Sequence, residues 1–247
     1  GFEPGYLVTV RVTTPIAEAE RTILITGSHD PVIDHLSDHL RSSGIFPASV
    51  HVGSMGGLMA LKRGDCHLAP MHLLSEDGDY NRAFLKRYMP GEELVLICVA
   101  EREQGIVSRD GLDFDAISTH RFVNRQKGSG TRMLFDYILK ERGISSDSVQ
   151  GYNREVTTHL AVCLAVMSGD GDLGMAVHSA AKAYNLPFIP IGTERYELAM
   201  RKETFESDSR VQSVVSLIQS DEFKSLLSRL GGYRTNETGV IRRISPA

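Results

Sequence analysis

From residue 121 the chain reads Arg-Phe-Val, then Asn124-Arg125-Gln126-Lys127-Gly128-Ser129-Gly130-Thr131-Arg132, then Met133-Leu134-Phe135. A strand that stops at a Gly-Ser-Gly-Thr turn and opens a helix leaves free backbone N–H groups, hydroxyls and the positive end of the helix dipole facing one point. That point suits an anion. Arg125, Lys127 and Arg132 raise the potential there, and Gly128 and Gly130 let the backbone approach a ligand closely. Taken alone, the turn reads equally well as a helix cap with charges on a solvated face. A second copy of the arrangement shifts the balance.

That copy is Gly27-Ser28-His29-Asp30, which follows a buried-type strand at 21–26, with Pro31 suited to the first turn of the next helix. Val32, Ile33, Leu36 and Leu40 then fall on one helical face. A strand at 48–52 leads into Gly53-Ser54-Met55-Gly56-Gly57 and a helix closed by Gly64-Asp65. In the second half, Thr157-Thr158-His159 caps an apolar helix closed by Gly169-Asp170, and a strand follows at 173–177. These two halves are near-repeats about a hundred residues apart, which predicts two α/β lobes of similar plan. Ligands of open α/β sheets sit outside the carboxyl ends of the strands. Facing lobes would then aim four helix N-termini, near Ser28, Ser54, Ser129 and Thr158, into one cleft.

Elsewhere the pattern predicts a strand at 6–12, a helix at 82–88, the longest strand at 93–100 running into polar Glu101-Arg102-Glu103-Gln104-Gly105, short strands at 188–191 and 196–200, and closing helices over 208–230. His35 and His39 lie four apart beside Asp34 and Asp38, a spacing that could hold a surface metal, although the solvated side of an amphipathic helix explains it more simply. The hydrophobic share of 41% and charged share of 23% describe an ordinary globular chain. A net charge of -4 argues against bulk nucleic-acid binding yet leaves room for a small anion held by backbone dipoles. No apolar run has the length of a membrane span. Cys66, Cys98 and Cys163, odd in number and without C-x-x-C spacing, suit buried thiols in a reducing, cytoplasmic setting. The start at Gly1, without Met, is expected of an excised fragment, and a matured secreted chain would look the same.

Together, Gly27-Ser28-His29-Asp30, the run from His51-Val52-Gly53-Ser54 to Gly64-Asp65, Phe122-Val123-Asn124-Arg125-Gln126 with Gly128-Ser129-Gly130-Thr131-Arg132, Thr158-His159-Leu160-Ala161-Val162 and Glu194-Arg195-Tyr196 resemble the type II periplasmic-binding-protein fold. Within it, they resemble the domain fused to molybdopterin-biosynthesis enzymes or to helix-turn-helix regulators. The resemblance runs from about 21 to about 239. It implies a two-lobed α/β fold with lobe 1 at 21–100 plus 195–247, lobe 2 at 101–194, and a two-strand hinge near 101–104 and 192–194. Residues 1–20 are read as a leader or linker. It also implies a binding module for molybdate, tungstate or a molybdenum-cofactor precursor, with no further cofactor, no nucleic-acid or membrane contact, and a covalently fused enzyme or DNA-binding partner domain.

Tetrahedral oxyanions are large and weakly basic, so hydroxyls and amides can hold them without a proton acceptor. Ser28, Ser54, Ser129 and Thr131 are the expected hydroxyl donors, the amides of His29, Met55, Gly130 and His159 stand beside them, and Arg125 is the expected charged partner. Thr158 and His159 belong to the same set, and of the histidines that could line the cleft (His29, His72, His159) the last ranks first. Tyr196, with Arg195, either closes over the ligand or packs at the hinge. Two rivals remain: an organic-effector site walled by Met55, Leu73 and Met175, and a serine hydrolase, although neither Gly-Ser turn fits G-x-S-x-G.

Overall fold

The computed structural model describes residues 16–75 and 78–246, so the strand expected at 6–12 lies outside the described residues. In chain order the strands are β1 (Thr22–Gly27), β2 (Phe46–His51), β3 (Ala69–Met71), β4 (Leu94–Ser108), β5 (Phe122–Arg125), β6 (Glu155–Val156), β7 (Leu173–Val177), β8 (Phe188–Arg201), β9 (Tyr233–Arg234) and β10 (Ile241–Ile244). The α-helices are α1 (Ile16–Ala19), α2 (Pro31–Ser42), α3 (Gly53–Arg63), α4 (Arg82–Tyr88), α5 (Gly130–Glu141), α6 (His159–Met167), α7 (His178–Ala183), α8 (Lys202–Ser207), α9 (Ser209–Gln219) and α10 (Asp221–Leu230).

β4 and β8 are long antiparallel partners that serve both halves of the molecule. At one end they carry β3 and β10 on their flanks, and at the other β7, then parallel β5 and β6. β1 pairs with β2 in parallel, and it joins β3 through Thr26 and Ser28 amides donating to the Leu68 and Pro70 carbonyls. The result is the two-lobed type II periplasmic-binding-protein-like α/β fold.

Each lobe is covered on both faces, because successive strand residues point opposite ways. Val95, Ile97 and Val99 pack under α2, α9 and α10 with Leu36, Val211 and Phe223. Leu94 and Leu96 face α3 and α4, meeting Leu58, Leu61 and Leu85. In the second lobe Val107, Val123 and Ala176 pack against α6 and α7, while Ile106, Phe122 and Met175 pack against Phe135 and Leu139 of α5. Cys66, Cys98 and Cys163 sit in these interiors, where burial pushes their thiols up to about 11, 12 and 12.

The polar stretches of β4 and β8 do not break the strands, in keeping with the two-strand hinge that the resemblance implies. Residues 101–105 and 192–195 continue both strands, with Arg102 directly opposite Glu194 and Gln104 opposite Gly192. Their alternation is real, but its inward face is charged rather than apolar: Arg102, Gln104 and Glu194 are all buried. After α10 the chain also forms β9 and β10 on the flank of β4, which the helical ending predicted from sequence omits.

In the second lobe the Phe122 and Phe135 rings stack at 4.4 Å, both fully buried. Phe135→Ala is expected to cost about 3–5 kcal/mol, read as a lower midpoint in urea unfolding; a cost under about 1 kcal/mol would mean that this stack is not what fixes α5 on β5.

Candidate functional site

All the helix N-termini named from sequence exist, but the caps are distributed differently. Ser129 and Thr158 cap α5 and α6, accepting from the Arg132 and Ala161 amides at 3.1 and 3.0 Å. Asp30, not Ser28, caps α2, accepting from the Val32 amide at 2.8 Å. Ser54 lies inside the first turn of α3 and accepts from the His72 amide at 3.2 Å.

The loops meet across the lobes. The Met55 amide donates to the Gly128 carbonyl at 3.2 Å, so the N–H expected to face a ligand is already spent. Gly53, at φ +76°, sits so near Gly128 that an added Cβ would lie 3.2 Å from its carbonyl oxygen. Gly130 lies flat against the backbone and ring of His72, where any Cβ would collide. These glycines are what allow the approach. Ser28, Ser54, Ser129 and Thr131 are all buried. The last three each accept a hydrogen bond from the protein, Thr131 from Gln104 at 2.9 Å, which leaves the hydroxyl protons available to donate.

Arg125 is fully enclosed, yet its partners are neutral: Nε donates to Gln126 Oε1 at 3.2 Å and Nη2 to the Thr157 carbonyl at 3.0 Å, while Nη1 has no partner among the described residues. Burial, then repulsion from Arg102, lowers its pKa to about 9, a large cost for a guanidinium. Arg102 is the site residue that sequence reasoning left unassigned. Its guanidinium lies between Asp30, at 2.5 Å from Nη1, and Glu194, which takes Nε, and stacks 4.1 Å over the Tyr196 ring; Nη2 is unpartnered. The usable signal was a charge pattern alternating inside what had to be a strand.

Tyr196 is buried, and its hydroxyl donates to the Ser28 carbonyl at 2.7 Å, so it packs and positions. Arg195 turns the other way, to Asp79 and Glu197. Leu73 and Met175 are buried inside the hydrophobic interiors instead of forming cleft walls. His29 bonds Asp34 at 3.1 Å.

His72 links the two carboxyl-ended strands to Ser28: Nδ1 is 2.6 Å from Glu194 Oε2 and Nε2 is 2.9 Å from Ser28 Oγ. Burial would raise the Glu194 carboxyl, but the charge of Arg102 and the hydrogen bond from His72 outweigh it and hold it at about 2. An ionised carboxylate can only accept, so the proton of neutral His72 is on Nδ1, and Nε2 must accept from the Ser28 hydroxyl. Neutral His72 therefore ties up Ser28. His159 is buried with both ring nitrogens unpartnered, and burial with Arg125, Arg102, His72 and His29 nearby holds it well below 6.5.

A family model described as the PBP superfamily domain matches residues 36–219. The chain belongs to the PBP superfamily. A relative, the uncharacterised protein YvgK of Bacillus subtilis (strain 168), is 31% identical over 259 aligned residues, covering 96% of this chain and 82% of its own. A Clostridium perfringens structure assigned as a phosphate ABC transporter substrate-binding protein, with phosphate bound, superposes with TM-score 0.62 at 13% identity, covering 86% of this chain and 98% of that one. The tungstate ABC transporter structure of Geobacter sulfurreducens superposes with TM-score 0.60 at 13% identity, covering 85% and 99%. At such identity these two speak for the fold alone.

The charges at the centre of this PBP domain balance: Asp30 and Glu194 against Arg102 and Arg125. A dianion placed here would gain most if His72 or His159 took up a proton, which would add charge and, at His72, free the Ser28 hydroxyl proton. Both histidines are held below 6.5 without a ligand, and a bound dianion raises them, so affinity is expected to rise as pH falls from 8 toward 6. Stability of the ligand-free protein runs the other way. An unfolded histidine binds a proton below 6.5 and these do not, so each costs about 1.4 kcal/mol per pH unit below that point until its folded pKa is reached. Calorimetry and thermal melts across pH 5–8 check both slopes; pH-independent affinity would refute the proton coupling.

Proposed function

We propose that this domain binds a small, fully ionised tetrahedral oxyanion of the molybdate or tungstate class between its lobes. The observation that carries the reading is Arg125, a guanidinium taken out of water with Nη1 unpartnered and no carboxylate of its own. A buried charge without a partner costs several kcal/mol, and an anion is the partner that removes the cost. Arg102 Nη2 and both nitrogens of His159 lack protein partners as well. Ser54, Ser129 and Thr131 supply hydroxyls, and the first amides of α5 and α6, at Gly130 and His159, supply backbone donors. Ser28 joins once His72 is protonated.

The preference for a fully ionised anion rests on the acceptors. Asp30 and Glu194 already accept from Arg102, Tyr233 and His72, so a protonated oxygen would have to compete with these donors for them. Structures of the same fold named for phosphate and for tungstate support the ligand class. The link to molybdopterin biosynthesis and a fused enzyme or DNA-binding domain rest on the sequence resemblance, and a cytoplasmic place on the cysteine pattern.

A second reading has one specific observation behind it. Ser28, His72 and Glu194 stand in nucleophile–base–acid order within hydrogen-bond reach. Against it, the Ser28 amide is bonded to Pro70 and its carbonyl to Tyr196, and Arg102 neutralises Glu194. Turnover of nitrophenyl acetate or nitrophenyl phosphate that disappears in Ser28→Ala would establish it.

Molybdate and tungstate are expected to bind by calorimetry and to stabilise the fold by about 2.7 kcal/mol at a hundredfold excess over Kd. Arg125→Met is expected to abolish binding without lowering the stability of the ligand-free protein, because it removes an uncompensated charge. No heat with molybdate, tungstate, sulfate or phosphate, alongside heat with an organic ligand, would overturn the oxyanion reading.

A further inference from the structure

We propose that His29, Asp34 and His51 form a binding site for a first-row divalent metal ion of the zinc class, at the carboxyl ends of β1 and β2. One ligand atom from each of the three residues lies within 4.8 Å of the other two. The spacing in the sequence drew attention to His35 and His39 instead, but those two are exposed on the outer side of α2. What brings the proposed ligands together is strand register. Gly27 is paired with His51, so the residue that ends β2 stands beside the turn that follows β1, and Asp34 rises from the first turn of α2 to meet both.

The arrangement is half built and half adjustable. His29 is 5% exposed, with Nε2 3.1 Å from Asp34 Oδ2 and its ring edge-on to His51 at 4.5 Å between centroids. Its Nδ1 is buried with no partner among the described residues. Tetrahedral zinc ligands, with metal–nitrogen bonds of about 2.0–2.1 Å, lie about 3.3 Å apart. Asp34 and His51 are exposed enough to close the remaining distance by changing rotamer.

Two imidazoles and one carboxylate suit zinc, cobalt or nickel better than calcium or magnesium. Three protein ligands leave a fourth position for water or a small anion on the exposed side. His29 directly follows Ser28, so a bound dication would also add positive charge beside the proposed oxyanion cleft.

The test uses the untagged chain and the metal alone, so it stands or falls separately from oxyanion binding. Zinc titrated by calorimetry is expected to bind one to one with Kd of about micromolar or tighter, and cobalt(II) to give the strong visible absorption of a low-coordinate site. His51→Ala and Asp34→Asn should each weaken binding by at least about 100-fold, beyond the 10–100-fold typical of losing an outer-shell partner. His35→Ala and His39→Ala should change it by less than about twofold. All four side chains are exposed, and circular dichroism confirms that each variant is folded. No heat and no cobalt spectrum, or affinity that follows His35 and His39 and ignores His51, would overturn the proposal.

Discussion

The Arg102 guanidinium is the interaction on which the rest of the structure depends. It projects from β4 at the level where the two long strands pass between the lobes, and it is answered by Glu194 from β8 and Asp30 from the cap of α2. Asp30 is therefore doing two jobs at once, ending the β1 turn and neutralising a charge on another strand, while Tyr233 of β9 donates to its second oxygen at 2.7 Å. A buried ion pair rarely stabilises a fold more than apolar packing would, but breaking one side leaves a stranded charge. Here that penalty favours the register in which β8 brings Glu194, and α2 brings Asp30 with Tyr233 of β9, to the guanidinium on β4. The Tyr196 ring beneath the guanidinium and its hydroxyl on the Ser28 carbonyl extend the constraint to the first loop of the site.

Arg125 stands in contrast. It is equally enclosed, yet nothing negative lies on it, and it feels Arg102 as a like charge. Two guanidiniums, one compensated and one not, define the polarity of the space between the lobes. The neutral histidines fit the same logic. Burial and neighbouring arginines disfavour their protonation, and a negative guest in this space would favour it.

What the sequence made legible was local chemistry. Strand-turn-helix units at Ser28, Ser54, Ser129 and Thr158 have short-range signatures: small turn residues, caps and an apolar periodicity behind them. These gave the two-lobed fold and most of the residues that the structure brings together. What it hid were contacts made by register over long separations. His72 and Glu194 are 122 residues apart, and Arg102 and Asp30 are 72 apart. Nothing in the local pattern of residues 101–105 distinguishes a polar loop from a strand whose inner face is charged, since both are polar and lack apolar alternation. The same blindness pointed to His35 and His39, which are neighbours on a helix, and away from His51, which joins His29 only through the pairing of β1 with β2.

The contacts across the loops also say how such a domain could respond to a ligand. Near the site the lobes are held by the Met55–Gly128 hydrogen bond and by glycine backbone resting on His72, contacts worth on the order of 1 kcal/mol each. The strands that join the lobes, by contrast, are continuous and heavily paired. A separation of the lobes would break these loop contacts while keeping β4 paired with β8, and would take Arg125, on one lobe, away from Ser54 and His72 on the other. A ligand that interacts with donors from both lobes has a differential affinity for the closed form, which is the physical requirement for shifting the balance. A ligand held by one lobe alone would have none, however tightly it bound.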